Sequence, residues 1–582
     1  MKKDKLFINK INFVKLLILL PFFLCPYALP IENKAILSFP STVQPMVATK
    51  GMVATQESRA TEVGLEALNL GGNAVDAAVA IGFALAVTLP RAGNLGGGGF
   101  MMIYDQKNHQ IKALDYREKA PKKSTRDMYL NWRSDVDNNK SRYSVLSAGV
   151  PGTVAGLLEA HEKYGKLPLS QVMQPAINLA KNLSMTFSMA ESLNRKRDYL
   201  SKSEASIATY FKSDGSDWTI NDSIKQLELA EVLKSISLSK GKSFYQGKIA
   251  KKIIDFIQSQ QGIMTLADLK SYKTVWRKPV ETNFAGSSIY SMPPPSSGGI
   301  HLIQLLNILK HFDIKTSGVN TADSTHIITE AMKFAYADRS RYLGDPDFVN
   351  IPVKKLLSPA YAKIIATKIS KKRVLNSKEI SPGRYLSQES PQTTHFSVID
   401  KDGNMVSNTY TLNFSFGSGI TVPGTGILLN NEMDDFSSKP GVPNGYGLLG
   451  GEANSIESEK RPLSSMTPVI VLNKSMPWLA TGSPGGSRII TIVLNFLLNK
   501  MVHGMNIASA TLTPRFHHQW YPETLMLEKG FPIDSANILK AKGHNIKFYN
   551  PWGSLQTVEY HNGLFYGFSD SRRPGALAKG NN

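Results

Sequence analysis

Cysteine is almost absent. The 582-residue chain has one, Cys25, inside an N-terminal apolar stretch. The remainder can form no disulfide, offers no thiol nucleophile and holds no metal through sulfur. Membrane-length apolar runs are absent too. Residues 16–24 are too few to span a bilayer as a helix, and residues 74–89 carry Asp76. No repeat of roughly 20–50 residues is present. Also missing are a G-x-S-x-G elbow, an H-E-x-x-H helix and a Walker A loop, which excludes the usual signatures of serine hydrolases, zincins and P-loop NTPases. Acidic residues are in deficit, with 67 Lys and Arg against 46 Asp and Glu, a formal net charge of +21. The lysines are scattered. The densest basic run, residues 368–373, is short and has no interleaved aromatics, so nucleic acid is not an expected partner. The charge mildly favours small anionic substrates. His517 and His518 adjoin, and neighbours on a strand point to opposite faces, so they make no metal pair. No metal or cofactor is expected.

What is present begins with an ordinary globular balance, 42% hydrophobic and 19% charged. Lys2, Lys3, Lys5, Lys10 and Lys15 precede the short apolar run 16–24. That pattern reads as a secretory signal peptide over residues 1–29, cut after about Ala28. Phe22, Phe23 and Leu24 are too bulky for a lipoprotein signal around Cys25. The expected location is periplasmic or secreted, with no stable membrane anchor.

Residues 61–70 read as an amphipathic helix stopped by Gly71 and Gly72. Asn73 caps a second, wholly apolar core helix over 74–89. The glycine-rich loop 93–100 has neither a Gly-Lys-Ser/Thr nor a G-x-G-x-x-G pattern, and is read as close backbone packing. Strands are expected at 101–105 and 111–116, with Arg117 at the end of the second. Residues 151–269 are helical in pattern, and helices are expected at 300–309 and 324–336. Residues 354–392 look like an exposed basic linker. From Thr393 the character turns to β.

Thr393-Thr394-His395 stands where the polar run 387–392 gives way to an alternating strand. Thr-Thr before a strand is often only β propensity. A cut before Thr393 would instead place a hydroxyl and a free α-amine, with a pKa near ~8, on one residue, supplying nucleophile and base together. Asp402-Gly403 is a hairpin signal. A three-residue loop pairs Asp400 with Asn404, and counting outward sets Thr411 opposite Thr393, with Asn413 just beyond. A slip of one residue would flip the face.

Other polar clusters have plainer readings. Ser296, Ser297, Ser464 and Ser465 suit turns. Asn430, Asn431, Glu432, Asp434 and Asp435 make a polar turn, a partial Ca²⁺ site or a pocket for an ammonium. Residues 481–488 make a glycine turn or, entering the helix 489–498, an anion nest able to hold an oxyanion.

With these residues in view the chain resembles the bacterial γ-glutamyltranspeptidases (glutathione hydrolases) of the N-terminal nucleophile hydrolase superfamily. The resemblance runs from about Met52 to Arg573. It rests on residues 71–78, 93–100, 115–118, 292–299, Thr393-Thr394-His395, 462–466 and 482–488. It implies an α+β, four-layer αββα sandwich and a precursor that cleaves itself before Thr393. The products would be a large subunit, 30–392, and a small one, 393–582, that stay together as a heterodimer. Thr393 would attack the γ-carbonyl of glutathione to form a γ-glutamyl-enzyme, resolved by water or by an amino-acid or peptide acceptor. Thr411 would hydrogen-bond the nucleophile, and the backbone N–H groups of Gly485 and Gly486 would hold the oxyanion. Arg117, with Ser464 and Ser465, would bind the α-carboxylate. Glu432 and Asp435, with Asn413 beside them, would bind the α-ammonium. Tyr446, in a loop over 440–447, would cover the pocket. Position 432 is Glu where some members have Gln, which keeps an acceptor. Asp570-Ser571-Arg572 departs from an Asp-Pro-Arg turn. Two rivals remain at this point, a glutaryl-cephalosporin acylase of the same fold and a non-catalytic protein that binds γ-glutamyl compounds.

Overall fold

Alternate residues along the central strands face two different cores, and this defines the architecture. The computed structural model describes residues 41–380 and 393–582. The expected signal segment 1–29 with Cys25, and the polar run 387–392, lie outside the described residues. In chain order the elements that matter are strands β1 (Met46–Ala48) and β2 (Gly51–Thr55), helices α1 (Ser58–Asn69) and α2 (Ala74–Thr88), strands β3 (Gly98–Asp105), β4 (Gln110–Tyr116), β5 (Val275–Arg277), β6 (Val280–Phe284) and β7 (Ser287–Ser291), helices α3 (Gly298–Leu309) and α4 (Ala322–Tyr342), strands β8 (Thr394–Asp400), β9 (Met405–Thr411), β10 (Val469–Asn473) and β11 (Met476–Gly482), helix α5 (Ile489–Met501), and strands β12 (Gln556–His561), β13 (Leu564–Ser569) and β14 (Leu577–Asn581).

Two seven-stranded antiparallel sheets result, ordered β14-β2-β8-β9-β3-β4-β5 and β1-β13-β12-β11-β10-β7-β6. In the first, Met52, Ala54, Phe100, Met102 and Tyr104 pack into the core between the sheets. Their neighbours Val53, Met101 and Ile103 pack outward against α1 and α2. In the second, Ile470, Leu472 and Ala480 face the shared core, while Val469, Val471 and Leu479 face α3, α4 and α5. A period of two with both faces apolar requires a layer on each side. The chain is therefore the expected αββα sandwich. Polar ties cross the shared layer: the Ser397 hydroxyl donates to Gln556 O at 3.0 Å and the Ser407 hydroxyl to Thr481 O at 3.0 Å.

Local chemistry explains the helix starts. Asn73 Oδ1 accepts from the N–H of Val75 and Asp76, and Asp76 Oδ2 accepts from Asn73 N at 2.9 Å, a reciprocal cap. Every residue of α2 is buried, as its apolar sequence requires. Three expectations need correction. Helix α1 starts at Ser58, because the Glu57 carboxylate caps it by accepting from Ala60 N. Helix α4 runs 21 residues, through Asp338, Arg339 and Ser340. Residues 354–380 are no exposed linker: they hold short helices at Val353–Leu356, Pro359–Lys368 and Ser377–Ile380. The spacing of Ala362, Ile365 and Ile369 gives that segment a buried apolar face. At the C-terminal end, Arg515 pairs with Asp570 at 2.5 Å and Arg572 with Glu528 at 2.7 Å, which fixes the Asp-Ser-Arg turn without proline. Among the described residues no helix is long and apolar enough to cross a membrane.

His301, His395 and His517 are buried, and burial pulls each imidazole from 6.5 down to about 3. A depressed folded pKa means that the unfolded chain binds the extra protons. Stability is complete above pH ~6.5 and is lost as pH falls toward 3, by up to about 1.4 kcal/mol per pH unit for each histidine. Thermal unfolding followed by circular dichroism should show a melting temperature that drops steeply below pH ~6. A flat profile from pH 7 to 4 would contradict neutral buried histidines.

Candidate active site

The site starts from the β8–β9 hairpin. Gly403, at φ 87°, closes the turn by donating to Asp400 O at 3.1 Å, and Asp400 N donates to Asn404 O at 3.1 Å. The ladder then pairs Ile399 with Met405 and continues to Thr394 with Tyr410. One further step sets Thr393 opposite Thr411, the register expected from loop length. The Thr393 hydroxyl lies 3.4 Å from the Thr411 hydroxyl, to which it donates. Odd-numbered residues of β8 share a face with Ile399, which lies in the core between the sheets, so Thr393 points into the sandwich interior. It is 4% exposed.

Thr411 is itself held. Its hydroxyl accepts from Asn413 N at 2.9 Å, and its carbonyl accepts from Asn94 Nδ2 at 3.0 Å. Asn94 Oδ1 in turn accepts from Gly97 N and the Thr153 hydroxyl. The glycine-rich loop is the close packing that its sequence suggested: a Cβ on Gly97 would stand 2.0 Å from Thr411 O. His395 is bracketed by the hydroxyls of Thr409 at 2.8 Å and Ser397 at 3.0 Å, and its ring packs where a Cβ on Gly482 would be. It braces the strand behind Thr393.

A cavity of about 20 Å³, room for one water-sized group, lies against Thr393. Thr411, Arg117, Asn413, Glu432, Asp435, Tyr446, Ser464, Ser465 and Gly486 line it. Of the expected residues only Gly485 is off its wall, one residue behind Gly486. Gly485 and Gly486 have φ of 148° and 58°, and they enter α5 through a short turn at Gly486–Arg488. A Cβ on Gly486 would meet the Tyr446 ring at 2.7 Å. Tyr446 is 5% exposed and its hydroxyl donates to Asn413 O at 2.5 Å. Its loop is tied down by Gly445 N donating to Asp434 Oδ2 at 2.9 Å. Ser296 and Ser297 prove to be braces: the Ser297 hydroxyl donates to Ser464 O and the Ser296 hydroxyl to Met466 O, positioning Ser464 and Ser465.

The electrostatics centre on Arg117, which is fully buried. Its two terminal nitrogens pair with Glu432 Oε1 and Asp435 Oδ2, and its Nε donates to Pro462 O at 3.2 Å. Glu118 lies 3.6 Å away. Burial pulls the guanidinium pKa down, but the three acids together outweigh it and raise it. Burial pushes Glu118 up to about 7 and raises Glu432, both against the pull of Arg117. Burial and mutual repulsion favour the protonated forms of Glu118 and Glu432, and the charge of Arg117 opposes this. Among the described residues, Glu432 Oε2 and Asn413 Oδ1 are buried with no hydrogen-bond partner. Such acceptors are costly unless a donor arrives.

Two residues were not assigned to the site by sequence reasoning, Arg339 on the cavity wall and Glu118 behind Arg117. Arg339 reaches the cavity from α4, donating to the hydroxyls of Ser297 at 3.1 Å and Ser465 at 3.3 Å. Burial lowers its pKa to about 10 while Asp435 pulls upward. It was hidden by ending α4 at residue 336, six residues short of its true end at Tyr342. Glu118 follows Arg117 in sequence, but nothing in its spacing marked it as buried.

The Gly97 contact is testable. Gly97→Ala should push Thr411 out of register and cost about 1–3 kcal/mol, read as a lower melting temperature. An unchanged melting temperature would show that the loop yields freely.

Comparison with known proteins fits this geometry. A family described as gamma-glutamyltranspeptidase matches residues 60–580. The chain is 50% identical over 539 residues to the glutathione hydrolase proenzyme of Escherichia coli K12, covering 92% of this chain and 93% of that one. Among solved structures, a cephalosporin acylase from Bacillus halodurans superposes with a TM-score of 0.81 at 27% identity, over 94% of this chain and 98% of that one. The γ-glutamyltranspeptidase of Helicobacter pylori is 42% identical with a TM-score of 0.56, over 61% of this chain and 99% of that one. The chain belongs to the γ-glutamyltranspeptidase family.

Proposed function

We propose that Thr393, freed by a cut on its N-terminal side, is the nucleophile of this chain, and that Arg117, Glu432, Asp435 and Asn413 read the charged end of its donor. The activity itself follows from the family. The protein is a γ-glutamyl hydrolase/transferase, made as a precursor and cut into subunits, that acts on glutathione and related γ-glutamyl compounds. What remains is which residues do the work.

The cut would give Thr393 an α-amine able to take the hydroxyl proton near neutral pH. Thr393 Oγ1 then attacks the γ-carbonyl, with Thr411 orienting it. The backbone N–H groups of Gly485 and Gly486 stabilise the oxyanion at the entry to α5. The leaving amine takes the proton, and a γ-glutamyl ester remains on Thr393. Water, or the amine of an amino acid or peptide, resolves it by the reverse sequence.

The buried cluster supports the donor assignment, and one observation carries it. Glu432 Oε2 and Asn413 Oδ1 are unpartnered acceptors of residues that line one cavity with Arg117 and Thr393. A γ-glutamyl group presents a carboxylate and an ammonium on one carbon. Its carboxylate would take the place of the acids on Arg117, aided by the Ser464 and Ser465 hydroxyls. Its ammonium would take the acids and the idle acceptors. The exchange keeps net charge constant, which limits the desolvation cost. A glutaryl chain has no ammonium and would leave those acceptors unpaired, which disfavours the acylase rival. The nucleophile register disfavours a binding protein without catalysis. At about 20 Å³ the cavity is too small for a γ-glutamyl group as it stands, so side chains on its wall must move for entry.

The subunits proposed are 30–392 and 393–582, after removal of a signal peptide at 1–29 and export to the periplasm or medium. They would not separate easily. Strands from before the cut pair with strands from after it in both sheets: β2 with β8 and β14, β3 with β9, β7 with β10, and β1 with β13.

Expression followed by a denaturing gel and N-terminal sequencing should give a fragment beginning at Thr393, absent in Thr393→Ala. An uncut chain that still hydrolyses a γ-glutamyl anilide would overturn the proposal. Arg117→Lys loses the fork and about 2 kcal/mol of charge-assisted bonding, so KM for the donor should rise roughly 30-fold. An unchanged KM would remove Arg117 from carboxylate binding.

A further inference from the structure

We infer that His326, Glu330 and His544 form a buried site for a transition-metal ion of the Zn²⁺ class, joining the portions of chain on either side of the proposed cut. His326 and Glu330 stand four residues apart on α4, hence on one face. His544 comes from the turn between the helix Ile533–Ala541 and the strand Ile546–Tyr549, more than 200 residues away. All three side chains are buried, and their donor atoms lie within 4.8 Å of one another. No sequence motif announced the site, because the third ligand is remote from the other two.

The hydrogen bonds fix the donors. His326 Nε2 is 2.7 Å from Ser370 O. A carbonyl only accepts, so Nε2 carries the proton and Nδ1 presents its lone pair. An N–H given to a backbone carbonyl is the usual outer support of a metal-bound imidazole. His326 Nδ1 is 2.8 Å from His544 Nε2. A tetrahedral ion with Zn–N near ~2.1 Å spaces two nitrogens by roughly 3.4 Å, so the imidazoles need part only slightly. His544 must shift its proton to Nδ1, with no net proton released. Glu330 is oriented by accepting from Leu375 N at 2.9 Å through Oε2. Its other oxygen, Oε1, has no hydrogen-bond partner and stands 2.9 Å from the Lys333 ammonium. Lys333 is held in turn by Leu375 O at 2.8 Å. The ammonium competes for the carboxylate, and two imidazoles supply most of the ligation. Both features select an ion with strong nitrogen affinity over Ca²⁺ or Mg²⁺, which take oxygen ligands.

The position gives the ion a task. Ser370 and Leu375 belong to the last described segment before the run that leads to Thr393. That segment is anchored further on by the Ser377 hydroxyl donating to Trp520 O at 2.9 Å. A bound ion would pin it and α4 to His544 of the proposed small subunit.

The test uses purified full-length chain stripped with chelator, then titrated with ZnCl₂ by calorimetry and followed by thermal unfolding. One equivalent should bind and raise the melting temperature. In His544→Gln the affinity should fall more than about 100-fold, beyond the loss expected for an outer partner. Co²⁺ should give wild type the intense visible absorption of a low-coordinate nitrogen site. Using Thr393→Ala as host separates this from the cut, since the uncut chain should bind equally. Zinc bound equally by His544→Gln, no saturable equivalent in wild type, or Co²⁺ with only the weak spectrum of the hydrated ion would each overturn the inference. The pair would then be a neutral histidine–histidine hydrogen bond.

Discussion

The register of one hairpin governs the rest. Side chains alternate across a strand, so a slip of one residue between β8 and β9 would turn Thr393 from the interior to the helix layer. The tight turn at Gly403, the inward hydroxyls of Ser397 and Ser407 tied to the opposite sheet, and the Asn94 clamp on Thr411 all hold that register. The glycines at 96, 97 and 99 have no freedom to grow, because each faces a backbone carbonyl of a neighbouring strand or loop. Precision at Thr393 is thus carried by backbone packing over a large part of the first sheet.

Around that fixed point the second constraint is charge. A fully buried arginine sharing three carboxyls is costly, since each ion loses its hydration and the acids repel one another. A fold that only needed stability would fill the space with apolar side chains. Retention of the cluster beside Thr393, with buried acceptors idle, suits a ligand that carries opposite charges on one carbon. The same reasoning explains why the cavity is small. Arg117 closes on its own acids, and Tyr446 covers them.

Much of this was legible in sequence because it is local. The Asn73 cap, the apolar α2, the Asp-Gly turn and the loop count all depend on residues close together along the chain, and from them the pairing of Thr393 with Thr411 followed. The residues of the charge cluster could be assigned only through family resemblance, since Arg117 and Glu432 are 315 residues apart. Arg339 was lost when α4 was ended early at a polar triplet, whose inward face is visible only once the helix is packed. The segment 354–380 was misread for a similar reason. Its lysines dominate the composition, but Ala362, Ile365 and Ile369 make a narrow buried stripe. The His326–Glu330–His544 cluster could not be read at all, because the fold alone brings α4 and the loop at His544 together.

The most direct measurement is a trapped intermediate. The enzyme is mixed with a γ-glutamyl donor, quenched in acid within the first turnover, digested and mapped by mass spectrometry. The account predicts a γ-glutamyl adduct on a peptide whose first residue is Thr393. An adduct on any other residue, or on a peptide in which Thr393 is still joined to Gln392, would contradict it.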